Sequence, residues 1–189
     1  MMLITLAIAW IIYLAAHSIL ASAGIKQRIP LNPRSYRLWY SVVSTVGLIV
    51  LFWMVSRIPS PYFFERGGVL RYVSLVLATF GVMTIQLSFR HYPIRSFLGL
   101  ADEPTTRLKT TGLLGLVRHP IYSGIILITV GFFLFIPNWP TLISCLCIWA
   151  YLPIGIYLEE QKLIGTFGDE YREYSKRVPA IVPSFLRMK

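Results

Sequence analysis

Residues 120–158 read PIYSGIILITVGFFLFIPNWPTLISCLCIWAYLPIGIYL, a run of 39 residues without Asp, Glu, Lys or Arg. A helix needs roughly 17–25 mostly apolar residues to cross the hydrocarbon core of a bilayer, so this run is too long for one crossing. In its middle, residues 137–140 form a turn signal with two prolines. The run therefore predicts two membrane helices, over residues 121–136 and 141–158, joined as a hairpin.

Three further runs free of charged residues each fit one crossing, and they cover residues 2–22, 38–56 and 72–89. The first of them has no basic segment before it and is longer than the apolar core of a signal peptide, so we predict a helix there. Hydrophobic residues make up 56% of the 189-residue chain and charged residues 14%, against about 25% charge in an ordinary soluble domain. We therefore predict an all-α integral membrane protein with five transmembrane helices, organised as a single membrane domain over residues 1–189. The same composition excludes a disordered chain, a conventional soluble fold and a nucleic-acid-binding domain.

The basic residues are distributed unevenly between the predicted loops. With alternating helix directions, 15 Lys and Arg residues lie on the side of the first loop, the third loop and the C-terminal tail, and three lie on the other side. The positive-inside rule places the larger group in the cytoplasm and the N-terminus outside. We predict a multi-pass protein of a bacterial or archaeal inner membrane, with residues 159–189 as a cytoplasmic tail. Its predicted partners are the lipid bilayer and a small or lipophilic substrate, and not nucleic acid.

The tail itself has helical apolar spacing at Phe167, Tyr171, Tyr174 and Val178, with charged residues between them. This pattern predicts an amphipathic helix on the cytoplasmic face of the membrane. Such a helix could close over a bound ligand as a lid. It could equally be an interfacial anchor.

Two segments at predicted helix ends carry unusual polar residues. Pro120 suits the first position of a helix, so we expect Arg118 and His119 beside free backbone N–H groups, a place that binds carboxylates or phosphates. The plainer interpretation is that Arg118 anchors the helix and His119 caps it. Glu159 and Glu160 are expected at the C-terminal end of the last membrane helix, where anions are unfavourable. They either face water or accept hydrogen bonds from the hydroxyl or amino groups of a ligand.

Both segments are predicted at the cytoplasmic ends of neighbouring helices. One pocket would then contain cations, a helix N-terminus and carboxylates. Such a pocket suits a zwitterionic, hydroxyl-bearing ligand from the cytosol. The sequence predicts no metal site.

An ordered set of residues in the C-terminal half resembles the integral-membrane methyltransferases of the isoprenylcysteine carboxyl methyltransferase and phospholipid N-methyltransferase group. The resemblance implies S-adenosylmethionine as the cofactor and a membrane core of five or more helices. The matching residues are Arg118-His119-Pro120-x-Tyr122-x-Gly124, Glu159-Glu160-x-x-Leu163, Phe167-Gly168-x-x-Tyr171-x-x-Tyr174, Val178-Pro179 and Pro183. Carried over by position, the implied cofactor-binding residues are Thr106, Arg107, Leu108, Lys109, Arg118, His119, Pro120, Ile121, Tyr122, Glu159 and Glu160.

The chain departs from that group at two positions. Leu114 stands where some members have Tyr, and Gly155 stands where prenylcysteine methyltransferases place an Arg that neutralises the substrate carboxylate. The missing cation argues against an α-carboxyl prenylcysteine substrate. The N-terminal half is instead similar to membrane thiol S-methyltransferases that make dimethyl sulfide, and to NnrU-type membrane proteins. The residues that carry this similarity are His17-Ser18-x-x-Ala21-Ser22, Lys26 and Tyr36-Arg37-x-x-Tyr40-Ser41.

Three residues are candidates for a catalytic role. His17 lies inside the first predicted helix, and an ionisable residue at membrane depth normally faces the protein interior or a wet cavity. It either bonds to a neighbouring helix or contacts the substrate and accepts a proton. Arg90 and His91, at the cytoplasmic end of the third helix, could supply the cation that is missing at Gly155.

Together these features predict an S-adenosylmethionine-dependent methyltransferase at the cytoplasmic membrane face. Its acceptor would be a thiol, a prenylcysteine-like carboxylate or a lipid amine. One alternative is an NADPH-dependent enone or steroid reductase, because such enzymes have a related C-terminal core. The other is a non-enzymatic, NnrU-like membrane protein.

Overall fold

The computed structural model describes residues 1–65, 67–90 and 107–183. Over these residues the chain is helical and contains no β-strand, only one isolated bridge between Tyr62 and Asn138. The predicted all-α class is therefore confirmed. The helices of the described part are α1 (Met2–Ala21), α2 (Ala23–Arg28), α3 (Pro33–Arg57), α4 (Gly68–Ser88), α5 (Leu113–Leu116), α6 (Pro120–Phe135), α7 (Trp139–Phe167) and α8 (Asp169–Arg177).

Four of these helices, α1, α3, α4 and α7, are long and apolar enough to cross a membrane. In α1, α3 and α4 only 11% of the apolar window is buried inside the protein, so most of their side chains face outward, as a lipid-facing surface requires. Helix α6 is apolar too, but its 16 residues are about 24 Å long and fall short of the hydrocarbon thickness of about 30 Å. An integral membrane protein is thus supported, and the predicted fifth crossing stays a prediction.

Helix α3 begins earlier than expected. The side chain of Asn32 accepts a hydrogen bond from the backbone N–H of Ser35 at 2.8 Å, and Pro33 occupies the first helical position. The predicted start at residue 38 is wrong because a charge-free run marks the apolar part of a helix and not its first turn. A turn does separate α6 from α7 as expected, but it covers residues 136–138, and α7 begins at Trp139, two residues before its predicted start.

The contacts between residues divide the protein into two compact units. The expectation that residues 1–189 form a single membrane domain stays a prediction. In the first unit, α1, α2 and α3 pack with the N-terminal part of α7, up to Tyr151. Its core contains Trp10, whose indole N–H donates a hydrogen bond to the hydroxyl of Ser144 at 2.9 Å, with both residues only 1% exposed. The backbone N–H of Phe63 donates to the carbonyl of Pro137 at 2.8 Å and connects the segment after α3 to the start of α7.

The second unit contains α4, α5, α6, α8 and the C-terminal part of α7. Helices α4 and α6 approach each other closely through glycines, as small residues allow in membrane proteins. A Cβ atom at Gly81 would lie 2.6 Å from the carbonyl oxygen of Gly124. A Cβ atom at Gly131 would lie 2.6 Å from the carbonyl oxygen of Ser74. These contacts leave no room for a larger residue at either glycine.

Helix α7 continues to Phe167, nine residues beyond its predicted end. Charged residues can extend a helix beyond its apolar part, so the first charge did not mark the helix end. Glu159 and Glu160 consequently lie inside the helix, and the expectation that they sit at an unfavourable C-terminus is wrong. After Gly168, which has a positive φ of 56°, the chain forms α8. This helix buries Tyr171 and Tyr174. Its placement on a membrane surface stays a prediction.

Candidate functional site

Arg118 lies just before α6 in the second unit, and its side chain is bonded within the protein. Its Nε and Nη2 atoms donate to Oε1 of Glu160, at 2.9 and 2.6 Å. Its Nη1 atom donates to the backbone carbonyls of Ser175 and Val178. Charge-assisted bonds of this kind are among the stronger ones in proteins. With its side chain only 13% exposed, Arg118 is an internal connector and not a free cation for a ligand.

Residues 178–181, which we call the C-terminal segment, pair with the start of α6. The backbone N–H groups of Arg118 and His119 donate to the carbonyls of Pro179 and Ala180, each at 2.9 Å. The hydroxyl of Ser123 donates to the carbonyl of Ile181 at 2.6 Å. The N–H groups of these two residues are therefore not available to a ligand, because the chain returns after α8 and supplies their acceptors.

Glu160 is the centre of the polar contacts. Besides the two bonds from Arg118, its Oε1 atom lies 3.0 Å from Nε2 of His119 and accepts a bond from the hydroxyl of Tyr171 at 3.2 Å. Burial and the nearby charge of Glu160 raise the pKa of Tyr171 well above its usual value, so this hydroxyl remains a donor. We use the name Arg118 network for Arg118, His119, Glu159, Glu160 and Tyr171.

His119 lies between the two adjacent carboxylates. Its Nε2 faces Glu160, and its Nδ1 lies 3.5 Å from Oε2 of Glu159. Burial of the ring lowers the pKa of His119, but the hydrogen bonds and negative charges of both carboxylates outweigh this and place the pKa above its ordinary value. The two carboxylates thus stabilise the imidazolium form, in which both ring nitrogens donate.

Glu159 differs from its neighbour in exposure. Its side chain is 45% exposed, against 21% for Glu160 and 3% for His119. Because Glu160 is engaged by several donors, Glu159 is the carboxylate of the Arg118 network that is available to a ligand. The network can thus present a fixed, accessible anion that accepts hydrogen bonds from hydroxyl or amino groups.

The other residues that were predicted to bind the cofactor differ in how deeply they are buried. In α6, Pro120 is buried, Ile121 is half-buried and the ring of Tyr122 lies 5.6 Å from that of His119. Arg107 and Lys109 are exposed, and Leu108 is half-buried. Thr106 lies outside the described residues.

The catalytic candidates do not belong to the Arg118 network. His17 lies in the first unit, where its ring faces Tyr40 and Ser44 of α3. Arg90 is exposed directly after α4. His91 is outside the described residues. No group of three or more His, Cys, Asp or Glu side chains that could bind a metal is found within residues 1–65, 67–90 and 107–183.

Sequence reasoning missed the roles of two tyrosines and of the C-terminal segment. Tyr171 and Tyr174 belong to the spacing that predicted the tail helix, but nothing in that spacing indicates their partners. The hydroxyl of Tyr174 donates to the backbone carbonyl of Leu114 at 2.6 Å and joins α8 to α5. Since this bond uses a main-chain atom, the absence of a Tyr at position 114 does not affect it.

Comparison with known proteins identifies the family. The family model described as NnrU protein matches residues 5–187. The chain belongs to the NnrU family. No solved structure matches this NnrU-family protein. The family resemblance expected from the sequence is thereby confirmed.

Similar proteins include several named methyltransferases. Methanethiol S-methyltransferase 1 of Bradyrhizobium diazoefficiens is 30% identical over 161 residues, which is 76% of this chain and 53% of that protein. Methanethiol S-methyltransferase of Pseudomonas deceptionensis is 26% identical over 200 aligned positions, 93% of this chain and 71% of that protein. Protein-S-isoprenylcysteine O-methyltransferase of Schizosaccharomyces pombe is 36% identical over 77 residues, 40% of this chain and 33% of that protein. The NnrU-family chain thus spans about half the length of the Bradyrhizobium relative.

Proposed function

We propose that this NnrU-family protein is an S-adenosylmethionine-dependent membrane methyltransferase that acts on a small thiol. The observation that carries the proposal is the accessible carboxylate of Glu159, which lies against a buried His119 that Glu160 and Arg118 fix in place. The names of the similar proteins support methyl transfer as the reaction.

The residues of the Arg118 network fit the polar groups of the cofactor. S-adenosylmethionine carries ribose hydroxyls and an ammonium group, which are the donors that the Glu159 carboxylate requires. Its own carboxylate needs cations or N–H groups, and four of the five N–H groups of Arg118 already donate within the protein. We assign that role to the first turn of α6, at Ile121, where a helix leaves N–H groups without intrahelical partners. The exposed Arg107 and Lys109 are further cations for this role.

The cofactor supplies an electrophilic methyl group on a sulfonium. In the proposed reaction the acceptor sulfur forms a new bond to the methyl carbon as the sulfonium carbon–sulfur bond breaks. The products are a methyl thioether and S-adenosylhomocysteine. Because the positive charge of the sulfonium disappears during transfer, exclusion of water favours the reaction. The protein's contribution is then mainly positioning.

A thiol is favoured over the other acceptors by the extent of similarity. The methanethiol S-methyltransferases align with 76–93% of the chain, whereas the isoprenylcysteine O-methyltransferases align with 40–70%. In addition, Gly155 is buried and carries no cation for a prenylcysteine carboxylate. We therefore rank prenylcysteine-like carboxylates and lipid amines behind thiols.

We further propose that α6 is the fifth membrane crossing and that the Arg118 network faces the cytoplasm. The uneven distribution of basic residues between the loops supports this orientation. The protein would then be a multi-pass component of the inner membrane of a bacterium or archaeon. With its buried tyrosines and exposed charges, α8 would lie near the cytoplasmic membrane surface, as a lid or an anchor.

Ligand binding separates this proposal from its alternatives. The protein, purified in detergent, is titrated by calorimetry with S-adenosylmethionine and with NADPH. Saturable binding of S-adenosylmethionine alone is expected, since an exposed carboxylate repels the phosphates of NADPH. Binding of NADPH alone would identify a reductase, and binding of neither would favour a non-enzymatic protein.

The acceptor is then identified with S-adenosylmethionine labelled in its methyl group. Methanethiol, a prenylcysteine and phosphatidylethanolamine are tested in parallel. We expect label in dimethyl sulfide. Label in the prenylcysteine or lipid alone would refute the thiol assignment while leaving methyl transfer intact.

A further inference from the structure

Six polar or aromatic residues of the first unit converge around His17. They come from three helices of this unit, and none of them carries a fixed charge. We call them the His17 cluster: Tyr13, His17 and Ser18 of α1, Tyr40 and Ser44 of α3, and Tyr151 of α7. No part of the Arg118 network belongs to it.

The His17 ring has two hydroxyl neighbours. The hydroxyl of Tyr40 lies 2.9 Å from Nε2 and 3.0 Å from Nδ1, while the hydroxyl of Ser44 lies 3.2 Å from Nδ1. A neutral imidazole offers one donor and one acceptor, so Nδ1–H can donate to Ser44 while Nε2 accepts from Tyr40. In this arrangement the Tyr40 oxygen keeps lone pairs that can accept a bond from a further donor.

The pair of Trp10 and Ser144, in the same unit, is an example of a purely structural contact. Trp10 and Ser144 share one hydrogen bond, and both are only 1% exposed. His17 lies seven residues further along α1, about 10 Å away. Yet every member of the His17 cluster is only half-buried. Half-buried His and Tyr groups within an apolar membrane helix indicate access for water or a ligand, because exposure to hydrocarbon is costly for polar groups.

The aromatic surroundings of the His17 ring are suited to binding a sulfur atom. The ring of Tyr13 is stacked with that of His17 at a centroid distance of 6.1 Å, and those of Tyr40 and Tyr151 lie 5.2 and 6.5 Å from it. Thioether and thiol sulfur make favourable contacts with aromatic rings. Since the cluster offers no Lys or Arg, it suits a neutral thiol and not a carboxylate-bearing acceptor.

We propose that the His17 cluster binds the acceptor thiol and removes its proton. The inference rests on the thiol methyltransferase function proposed above. The thiol proton passes to the Tyr40 oxygen as the proton of Tyr40 passes to Nε2 of His17, which becomes an imidazolium. The electron pair of the broken S–H bond stays on sulfur, which becomes the thiolate that methyl transfer requires.

The test compares two acceptors in the full-length protein. Ethanethiol must lose its proton, whereas thiophenol is largely ionised near neutral pH and needs no proton acceptor. For H17Q and Y40F we expect kcat/KM with ethanethiol to fall on the order of 100-fold. With thiophenol the fall should be less than about tenfold, and the affinity for S-adenosylmethionine should be unchanged. A matched control is T45A, since Thr45 is exposed beside Ser44 and bonds only to the carbonyl of Ser41 in its own helix.

Each outcome has a distinct meaning. Equal losses with both thiols, at an unchanged melting temperature, would show that the cluster only positions the acceptor and would overturn proton removal. Full activity of both variants with ethanethiol would overturn the site altogether. If the wild-type protein methylates neither thiol, the proposed function fails before the inference is reached. If H17Q does not fold, Y40F alone decides, because it removes one oxygen and leaves the ring in place.

Discussion

Arg118 and Glu160 are separated by 42 positions in the chain, and the guanidinium donates two hydrogen bonds to one oxygen of the carboxylate. The same oxygen also contacts His119 and Tyr171. Oε1 of Glu160 is therefore fully engaged within the protein, and the more exposed Glu159 is the carboxylate that is better placed to meet a ligand. The two adjacent glutamates therefore have different roles, one in internal contacts and one toward a ligand, although their side chains are chemically identical.

Replacing the two acids by glutamine should separate binding from stability. E159Q removes the charge that faces the ligand, so we expect the Kd for S-adenosylmethionine to rise about tenfold or more, with little change in melting temperature. E160Q leaves Arg118 and His119 without their shared anion and should destabilise the protein by about 2 kcal/mol or more. Calorimetry and thermal unfolding in detergent measure the two effects. Identical behaviour of the variants would contradict the division of tasks.

R118K should loosen the C-terminal segment. A lysine ammonium cannot reproduce the planar fork that reaches Glu160, Ser175 and Val178 together. We expect amide hydrogen exchange in residues 178–181 to become faster, by a factor of about 10 or more, corresponding to bonds worth about 1–3 kcal/mol. The control is R172K, because Arg172 is 59% exposed and makes only a surface pair with Asp169. Unchanged exchange in R118K would show that the backbone bonds alone fix this segment.

The contribution of His119 to stability should depend on pH. Its pKa is raised in the folded protein above the ordinary value of about 6.5, so its contribution is fully present below that value and is lost as pH rises through the folded pKa. We expect the difference in melting temperature between the wild type and H119Q to be large near pH 6 and to shrink toward pH 9. A difference that stays constant across this range would mean that the ring is neutral in the folded protein.

The contact between α4 and α6 should not tolerate a methyl group. In G81A the new Cβ atom would lie 2.6 Å from a backbone oxygen and 2.7 Å from Cγ1 of Ile128, so the helices must move apart. A cost of about 1–3 kcal/mol is expected. Gly165 of α7 provides the control, because a Cβ atom there meets nothing within 4 Å, and alanine is the better helix former. Thermal unfolding of G81A and G165A compares them directly, and equal stability would argue against the close approach.

Much of the helical architecture could be predicted because membrane helices contain long runs without charged residues. The charge-free runs located α1 and α6 to within one residue at each end. The same criterion failed at the first turn of α3 and the last turns of α7, where charged side chains such as Arg34 and Lys162 extend the helix beyond its apolar part. Exposed charges do not end a helix, so their position does not report where it stops.

For the candidate site, the sequence predicted which charged side chains come together, but not their exposure or their bonds to the backbone. The Arg-His and Glu-Glu pairs were expected near each other, and the Arg118 network joins them directly. The exposure difference between Glu159 and Glu160 could not be predicted, since it depends on which carboxylate faces Arg118. The bonds of the C-terminal segment could not be predicted either, because they are made by backbone carbonyls, which every residue carries.

The bond between Arg118 and the carbonyl of Val178 also has a consequence for biosynthesis, since 60 positions separate the two residues. At a translation rate of roughly 5–20 residues per second, the acceptor is made about 3–12 s after the donor. For the first 42 of these 60 positions the guanidinium has neither Glu160 nor the C-terminal segment as a partner, and its charge must be satisfied by water. The complete Arg118 network therefore forms only after the chain has returned to it.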